Sequence, residues 1–398
     1  MNNGLQMFLV RLVSKERNYF SIGKDNSNNL SVIVHSDTLF SAICNNFRKL
    51  FGKSELERFL DVINPSDEDK KSFLNISSGF HFIDIYKDEK LADTIYFVPK
   101  PLIRFPFMAE SQEYLDQNPK IFKKIDFISL EVANKLRENK KISFSQYHII
   151  GGKYLVDNED LNKLGLIKFL SLLIKPDLRL EKIERIIRNK ISVYEILNEQ
   201  KVRINRKTQE SEPFTWPKLK LCVSQYYINE DKRINYKLVP GYYFICEISY
   251  LDEELSNKVK TSITLIMDEG IGGRRSLGCG LVDDVELVEL DDTFPFSKLL
   301  NSEADGWFMN LSLVYPRLED LQNIEFFNIY GRSGYVYSVE NNSARFNDVK
   351  FIEEGSLFKK KVRGKLIQVA SADFVSKYHK VYKNGIGFYL NLGKLEVE

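Results

Sequence analysis

The sequence predicts an α+β protein of two modules, residues 1–292 and residues 293–398. Three observations carry this prediction. The chain has 398 residues, which is too long for one ordinary domain. It contains 28 Phe and 20 Tyr against 2 Trp, and Phe and Tyr favour the pleated, half-buried surfaces of sheets. Candidate strands and helices also alternate along the first module, whereas short candidate strands dominate the second.

The first two elements are a strand and a helix. Leu5–Val13 is apolar with β-branched and aromatic members, which is typical of a strand. Ser36 or Asp37 can cap a helix, and Gly52 stands where a glycine would end it. Between these signals the apolar residues recur every three or four positions, at Leu39, Ile43, Phe47 and Leu50.

Four further elements complete the first module. Gly79–Tyr86 and Gly241–Leu251 are predicted strands. Asp252–Asp268 is a predicted helix, because acids fill its first turn and its apolar residues lie on one face. Leu281–Leu290 closes the set as a strand. The order is therefore strand, helix, strand, strand, helix, strand, which is the split βαβ or ferredoxin-like order.

A long insertion, at about residues 87–240, separates the second and third of these strands. It carries the extended, proline-punctuated segment Phe97–Leu102 and two candidate helices, Asp160–Ile174 and Leu180–Leu197. An insertion of this size is too long for a structureless loop, so we expect a subdomain or a functional arm.

The pattern changes to short strands after Pro295. Turn signals such as Asn341-Asn342 separate them. The predicted strands of this second module are Trp307–Tyr315, Gly334–Glu340, Val362–Val369 and Ile386–Leu392.

Composition and targeting signals exclude several classes of protein. The first residues lack the basic and apolar regions of a signal peptide, and the densest apolar run, Leu164–Ile174, is about half of a membrane span. We therefore expect a cytoplasmic protein without a membrane partner. The four cysteines are far apart, so neither a zinc site nor a disulfide framework is expected, and no metal or other cofactor is predicted. A net charge of +2 shows no global basic excess.

A glycine-rich segment, residues 270–280, is the most informative part of the chain. Five glycines in eleven residues, between a helix and a strand, let the backbone approach another group closely and expose its N–H groups. With Arg274, Arg275 and Ser276 the segment predicts an anion-binding loop. It is neither a Walker loop nor a Rossmann fingerprint, because it lacks Gly-Lys-Ser/Thr and follows a helix. The alternative is a plain glycine-rich turn with two solvated arginines.

Charged residues are segregated along the chain despite the small net charge. Residues 179–207 hold nine bases against four acids, residues 359–365 hold five bases and no acid, and acids gather at 283–292. Concentrated bases are the footprint of a groove that follows phosphates, although the 359–365 run could equally be a solvated face. Val202–Lys207, followed by Pro213 and Phe214, is typical of one arm of a hairpin or thumb that contacts RNA.

The sequence offers little catalytic chemistry. The histidines His35, His81, His148 and His379 form no metal-binding spacing, and no nucleophile elbow or paired acidic motif is visible. His35 alone adjoins other candidate functional residues, and it could equally be a structural residue at the entry to the helix.

Three motifs together resemble one family. They are the helix-opening segment His35–Ile43, the segment Phe97–Pro101 and the glycine loop 270–280. The chain resembles the RAMP superfamily of CRISPR proteins and, within it, the family of fourth Csm subunits of type III-A interference complexes; the Tyr378–Tyr382 segment is similar to that family's ending. The resemblance spans most of the chain, and the insertion around 159–200 departs from it by its length.

The resemblance implies two ferredoxin-like modules and a non-catalytic subunit without a cofactor. It implies binding of the 5′ repeat-derived handle of crRNA, docking of the large polymerase-like subunit and of a backbone RAMP subunit, and indirect contact with target RNA. The expected RNA-binding residues, some from the resemblance and some from the basic and glycine-rich segments, are His35, Ser36, Lys100, Arg203, Asn205, Arg206, Gly270, Gly272, Gly273, Arg274, Arg275, Ser276, Gly278 and Gly280.

Two other functions stay open at this point. One is a metal-independent endoribonuclease that processes CRISPR precursor RNA, with His35 as the general base or acid. The other is a module that binds only proteins.

Overall fold

The computed structural model describes residues 4–23, 30–63, 72–103, 105, 123–141, 147–166, 191–229, 233–300, 305–336 and 344–395. Over these residues the protein is built around a ten-stranded mixed sheet with helices packed on it, so the predicted α+β class is confirmed.

The described helices and strands have the following bounds. The helices are α1 (Ser36–Phe51), α2 (Lys53–Ile63), α3 (Leu130–Arg137), α4 (Asn158–Lys163), α5 (Glu253–Thr264), α6 (Ile266–Glu269), α7 (Ser297–Leu300) and α8 (Ala372–Lys377). The strands before residue 293 are β1 (Leu5–Val13), β2 (Tyr19–Phe20), β3 (Leu74–Ile76), β4 (Phe80–Lys87), β5 (Lys90–Pro99), β6 (Phe127–Ser129), β7 (Tyr147–Ile150), β8 (Tyr154–Asp157), β9 (Tyr194–Ile204), β10 (Ser211–Leu221), β11 (Ser224–Asn229), β12 (Arg233–Ser249) and β13 (Asp284–Glu289). Those after it are β14 (Phe308–Asn310), β15 (Ile324–Phe326), β16 (Ile329–Tyr335), β17 (Arg345–Ile352), β18 (Leu357–Phe358), β19 (Ile367–Gln368), β20 (Tyr382–Lys383) and β21 (Tyr389–Asn391).

Four strands form the centre of the first module in the order β13-β1-β12-β4, and all neighbours are antiparallel. Helix α1 lies in the chain between β1 and β4, and α5 lies between β12 and β13, as the predicted element order requires. The strand predicted at Leu5–Val13 is β1 residue for residue. The predicted helix after β12 begins at Glu253, where the Asp252 carboxylate accepts a hydrogen bond from the Leu255 N–H at 3.0 Å.

Helix α1 confirms one predicted boundary and corrects the other. Gly52 ends the helix with φ 88° and donates its N–H to the Arg48 carbonyl. The N-cap is His35, whose side chain makes no capping bond, and not Ser36 or Asp37, which are the first two helical residues and are fully buried. The short polar side chains at the start of α1 bond to the second module instead of to their own helix.

The two faces of the central sheet are covered by different parts of the chain. One face packs against the apolar sides of α1, α2 and α5, whose buried residues include Leu39, Phe47 and Val259. The other face packs against the insertion and against strands of the second module, where Met309 and Leu390 join the same core. The second module is therefore fixed to the first through an apolar core rather than through a linker.

The insertion consists of strands and short helices. Strands β5 to β8 extend the sheet, and β9 pairs with β10 along its whole length to form a hairpin. The predicted helix 160–174 is only the six-residue α4 where it is described, and residues 167–174 lie outside the described part. The predicted helix 180–197 is wrong at its end, because residues 194–197 begin β9; residues 180–190 also lie outside the described part. Pairing with the next strand, β10, overrides the local helical pattern there.

The second module is made of small sheets. Strands β15, β18, β14 and β21 form one sheet, and β16–β17 and β19–β20 are two-stranded. The strands predicted at 307–315, 362–369 and 386–392 are only two or three residues long, as β14, β19 and β21. The strand predicted at 334–340 overlaps β16, which begins five residues earlier, and its residues 337–340 lie outside the described part. Strand β17 was not predicted. The helices described after residue 293 have four and six residues, so the split βαβ order of the first module is not repeated among the described elements, and the second ferredoxin-like module stays a prediction. Among the described helices, none is long and apolar enough to cross a membrane.

Candidate RNA interface

The glycine loop closes tightly on itself and on β2. A Cβ atom on Gly280 would lie 1.8 Å from the carbonyl oxygen of Ile271, and one on Gly272 would lie 2.6 Å from that of Ser21. Both residues also have positive φ, at 78°. Glycine is required at these two positions because any side chain would strike backbone.

The loop uses most of its backbone donors internally, which corrects part of the prediction. The N–H groups of Gly273 and Gly280 donate to the carbonyls of Ser21 and Tyr19, and that of Ile271 donates to Gly280. Those of residues 277–279 donate to Arg274 or Arg275, and that of Gly270 ends α6. The glycines shape the loop and hold it against β2. Because these N–H groups already have acceptors, an anion would be bound by the side chains of the loop.

The polar side chains of the loop lie at its outer turn. Arg274 has positive φ, and its guanidinium lies 4.5 Å from the centre of the Trp216 ring, within the range of a cation–π contact. Arg275 donates to the carbonyl of Glu269, and Ser276 is exposed. The structure thus brings Arg274 of the loop together with Trp216 of β10, a contact that no sequence pattern predicted.

The β9–β10 hairpin is the predicted thumb-like arm, and its outer half is exposed. Its register places Lys201 opposite Phe214 and Arg203 opposite Glu212 on one face. On that face the Lys201 ammonium lies 5.1 Å from the Trp216 ring, and the Arg203 guanidinium lies 5.8 Å from the Phe214 ring. Proteins bind single-stranded nucleic acids on surfaces that combine cations, which follow the phosphates, with aromatic rings, on which bases stack.

The tip of the hairpin gives its predicted residues different roles. The side-chain Oδ1 of Asn205 accepts hydrogen bonds from the N–H groups of Lys207 at 3.0 Å and Thr208 at 3.4 Å, so this side chain stabilises the turn. Arg206 and Lys207 are exposed beside it.

The hairpin and the glycine loop belong to one surface. Strand β2 pairs with β10, and the carbonyls of Tyr19 in β2 and of Ser21 directly after it accept hydrogen bonds from the loop. The Lys218 ammonium of β10 lies 4.2 Å from the Tyr19 ring. We call this surface the basic track, and it consists of Lys201, Arg203, Arg206, Phe214, Trp216 and Arg274.

A cleft of about 680 Å³ lies between the two modules and brings His35 and Lys100 to one place. Burial lowers the pKa of the Lys100 ammonium, against the charge of Asp126. His35 reaches the cleft only by an edge, because it is 2% exposed. Its Nδ1 lies 2.9 Å from a Glu354 carboxylate oxygen, and its Nε2 lies 3.1 Å from the Ser31 hydroxyl. The centre of its ring lies 4.3 Å from that of Tyr330, with the two planes tilted by 39°.

Ser36 is not placed where RNA could contact it. It is fully buried, its N–H donates to the Ser78 hydroxyl, and its own hydroxyl oxygen accepts from the N–H of Leu313 in the second module. Its hydrogen-bonding groups join the two modules, and its expected role in RNA binding stays a prediction.

The remaining charged runs are partly neutralised within the chain. Lys359 pairs with Glu325 at 2.7 Å. In the acidic run, the Asp283 carboxylate accepts hydrogen bonds from the N–H groups of residues 15–17, and Glu286 pairs with Arg11 at 2.8 Å. These residues have structural roles, so neither run is a uniform binding face.

Sequence reasoning missed Trp216 and the acids Glu353 and Glu354 of the cleft. Trp216 is one of only 2 Trp in the chain and stands ten residues after Arg206, so the sequence could have indicated it as an aromatic residue of the same basic segment. The two glutamates carried no signal, because only the packing of the modules brings them to His35.

Two comparisons with known proteins find a similarity to Csm4. Residues 303–392 match the family model of the CRISPR Csm4 C-terminal domain. A curated relative from Methanocaldococcus jannaschii, the CRISPR system protein Csm4, is 29% identical over 358 residues, which cover 89% of this chain and 86% of the relative. The chain carries a Csm4 C-terminal domain and is similar to Csm4 over most of its length.

Solved structures share the Csm4-like fold. A chain of the Csm3–Csm4 subcomplex of a type III-A CRISPR-Cas interference complex superposes with a TM-score of 0.62 at 24% identity, covering 96% of this chain and 99% of its own. A chain of a Csm1–Csm4 cassette in complex with cA4 gives a TM-score of 0.51 at 16% identity, covering 98% and 99%. The likeness extends over both modules and the insertion.

Proposed function

We propose that this chain is the non-catalytic subunit that binds the 5′ repeat-derived handle of crRNA in a type III-A CRISPR complex. The similar structures contain Csm4 with Csm3 or with Csm1, so we propose a backbone RAMP subunit and the large polymerase-like subunit as its protein partners. Target RNA is reached through those partners. The similarity to Csm4 supports a place in the complex, and the basic track supports contact with RNA.

The contact of Arg274 with Trp216 carries the RNA-binding part of the proposal. It joins the glycine loop to the hairpin, so that cations and aromatic rings from two distant parts of the chain form one surface. Guanidinium groups pair with phosphate, and aromatic faces stack with unpaired bases. A single-stranded handle offers both.

The surroundings of His35 favour a scaffold over the endoribonuclease. Both ring nitrogens lie within hydrogen-bond distance of Ser31 or Glu354, and the side chain is buried. A general base for an RNA 2′-hydroxyl must reach that hydroxyl, and the ring is held away from it by these contacts.

Binding of a repeat-derived RNA tests the proposal. We expect Arg274→Ala with Arg275→Ala to weaken binding and to lower the slope of log affinity against log salt by about 1.4, since single-stranded RNA loses about 0.7 per phosphate contact. Fluorescence anisotropy over a salt series measures both. Arg58→Ala is the matched control, because Arg58 pairs with Glu55 and Asp252 at α2, away from the track. An unchanged slope in the double variant contradicts the loop's role.

Incubation of the full chain with repeat RNA in EDTA separates the other functions. Binding without cleavage is expected. Cleavage that His35→Ala abolishes would establish the endoribonuclease instead, and absence of any RNA binding would favour a module that contacts only proteins.

A further inference from the structure

A groove lies where helices α1 and α2 of the first module meet strands β16, β17 and β20 of the second. It is separate from the cleft that contains His35 and Lys100, since the two share no lining residue. Its volume is about 180 Å³. Tyr335 and Lys380, which line it, are exposed, so the groove is open to solvent.

Apolar side chains from both modules line this groove. On α1, Phe40, Cys44 and Arg48 follow at intervals of four residues, which places them along one face of the helix. Leu56 and Leu60 of α2 continue the apolar surface. The apolar residues of the second module in the groove are Val336, Phe346, Val381 and Tyr382. Most of these side chains are only partly buried, so apolar surface inside the groove still contacts water.

Several polar groups of the groove are already engaged within the chain. The Ser41 hydroxyl donates to the Asp37 carbonyl at 2.8 Å, and the Asn45 side-chain amide donates to the Ser41 carbonyl at 2.7 Å. The Lys383 ammonium lies 3.1 Å from the Asp37 carboxylate. A nucleobase would bring polar atoms that find few partners here, and burying them unpaired is unfavourable. The lining therefore favours an apolar side chain over a base.

The volume of the groove indicates the size of its occupant. An apolar cavity of about 150 Å³ holds benzene, whereas sites for small-molecule ligands begin at about 300 Å³. At about 180 Å³ the groove fits a single aromatic side chain. A buried aromatic side chain in a pocket of the partner is a common anchor of protein–protein interfaces.

Positive charge surrounds this apolar groove. Arg48 and Lys380 line it, and no acid does so among the described residues. Lys380 is exposed, and the charge of Lys383 is used by Asp37. Acidic side chains next to an inserted anchor would pair with Arg48 and Lys380, and such complementary charges give docking its specificity.

We propose that this groove docks a segment of a protein partner that inserts one aromatic side chain flanked by acidic residues. The inference rests on the proposed place of the chain in a complex, which supplies the partner, and it does not depend on RNA binding by the basic track.

A photo-crosslinker beside the groove tests this docking. Tyr335→p-benzoylphenylalanine keeps an aromatic ring at an exposed position of the full-length chain, which is co-produced with the proposed partner subunits and crRNA. We expect illumination of the assembled complex to link this position to one segment of a partner subunit, in which mass spectrometry identifies an aromatic residue flanked by Asp or Glu. Leu318→p-benzoylphenylalanine is the control, because Leu318 is exposed in the same module outside the groove, and it should not link to that segment.

Second changes in the crosslinker chain show whether the groove itself is responsible. Lys380→Glu reverses a charge of the groove and should lower the yield of the link at least about fivefold. Lys360→Glu is its matched control, because Lys360 is an exposed lysine of the same module outside the groove. Cys44→Trp fills the groove with a ring of the chain's own and should lower the yield in the same way; if this variant does not fold, Lys380→Glu still decides.

The possible outcomes separate this inference from the proposed function. A link to RNA, to a second copy of the chain or to a segment without acidic residues overturns the docking, and so does an equal yield with Lys380→Glu and Lys360→Glu. If the complex assembles with its RNA and the crosslinker at position 335 reaches no partner, this inference alone fails. If the unsubstituted chain forms no complex with the proposed partner subunits, the proposed function fails together with the inference.

Discussion

Asp160 shows how one buried carboxyl couples stability to pH. It lies at the start of α4, where its N–H donates to Asp157 and its own carboxylate accepts from the Ser129 hydroxyl and the Asp157 N–H. Burial, together with the charge of Asp157, raises the pKa of the Asp160 carboxyl to about 7, although Lys163 opposes the shift. The folded chain therefore keeps a proton that the unfolded chain loses near pH 4.

This shift predicts a loss of stability as pH rises from about 4 to about 7. In that window the folded state binds more protons than the unfolded state, so the Asp160 contribution falls by up to about 1.4 kcal/mol per pH unit. Asp160→Asn removes that contribution, and the variant should become more stable relative to wild type as pH rises. Urea unfolding at several pH values measures the difference. Glu159→Gln, which changes an exposed neighbour, should show no such trend, and a flat difference for Asp160→Asn would contradict the argument.

At the scale of elements, the β9–β10 hairpin is separable from the core. Its outer half is exposed on both strands, and the residues beyond Lys201 belong to no core cluster among those described. Successive side chains of a strand point to opposite faces, so Lys201 and Arg203, which are two residues apart, lie on the same face of the hairpin.

Shortening this hairpin tests its role as an element. Lys201 and Phe214 are direct partners, so residues 202–213 can be replaced by Asn-Gly to give a two-residue turn. We expect the free energy of unfolding to stay the same and the salt slope of RNA binding to fall by about 2, because Arg203, Arg206 and Lys207 are removed.

A charge-only variant is the control for the shortened hairpin. Glutamine at positions 203, 206 and 207 keeps the hairpin and should reproduce the lower slope. A shortened chain that binds RNA with an unchanged slope would show that the hairpin does not contact phosphates.

At the scale of the whole molecule, the start of α1 joins the two modules. Asp37 accepts two hydrogen bonds from the Arg332 guanidinium, at 2.6 and 2.9 Å, and lies 3.1 Å from the Lys383 ammonium. Burial alone would raise the pKa of Asp37, but these two cations outweigh it and hold the pKa well below its ordinary range. With His35–Glu354 close by, this end of α1 is a polar junction beside an apolar core.

The junction predicts an acid-sensitive stabilisation. Asp37→Asn leaves the Arg332 guanidinium buried without its carboxylate, so we expect a loss of about 3–5 kcal/mol near pH 7. Because the folded pKa of Asp37 is depressed, its contribution is present above about pH 4 and is lost at lower pH, where variant and wild type should converge.

Urea unfolding followed by tryptophan fluorescence measures this loss. Asp373→Asn is the control, because Asp373 is exposed and pairs with Lys377 within α8. Equal stability of the two variants would contradict a role of Asp37 in joining the modules.

Much of the first module could be predicted from the sequence because its signals are local. The strand Leu5–Val13 follows from its run of apolar residues. The end of α1 follows from the positive φ that Gly52 adopts. The start of α5 follows from the Asp252 side chain, which bonds to the N–H three residues ahead. Each of these is encoded within a few residues, so a single sequence determined them.

Only the tertiary structure decided which distant residues share a site. Arg274 meets Trp216, Asp37 meets Arg332, and His35 meets Glu354 across 319 positions of sequence. The start of β9 was misjudged for the same reason, since its pairing with β10 outweighs a local helical pattern. Such contacts depend on how the sheet, the insertion and the second module pack, and that packing is set by the apolar cores on both faces of the sheet, not by any pattern near the residues themselves.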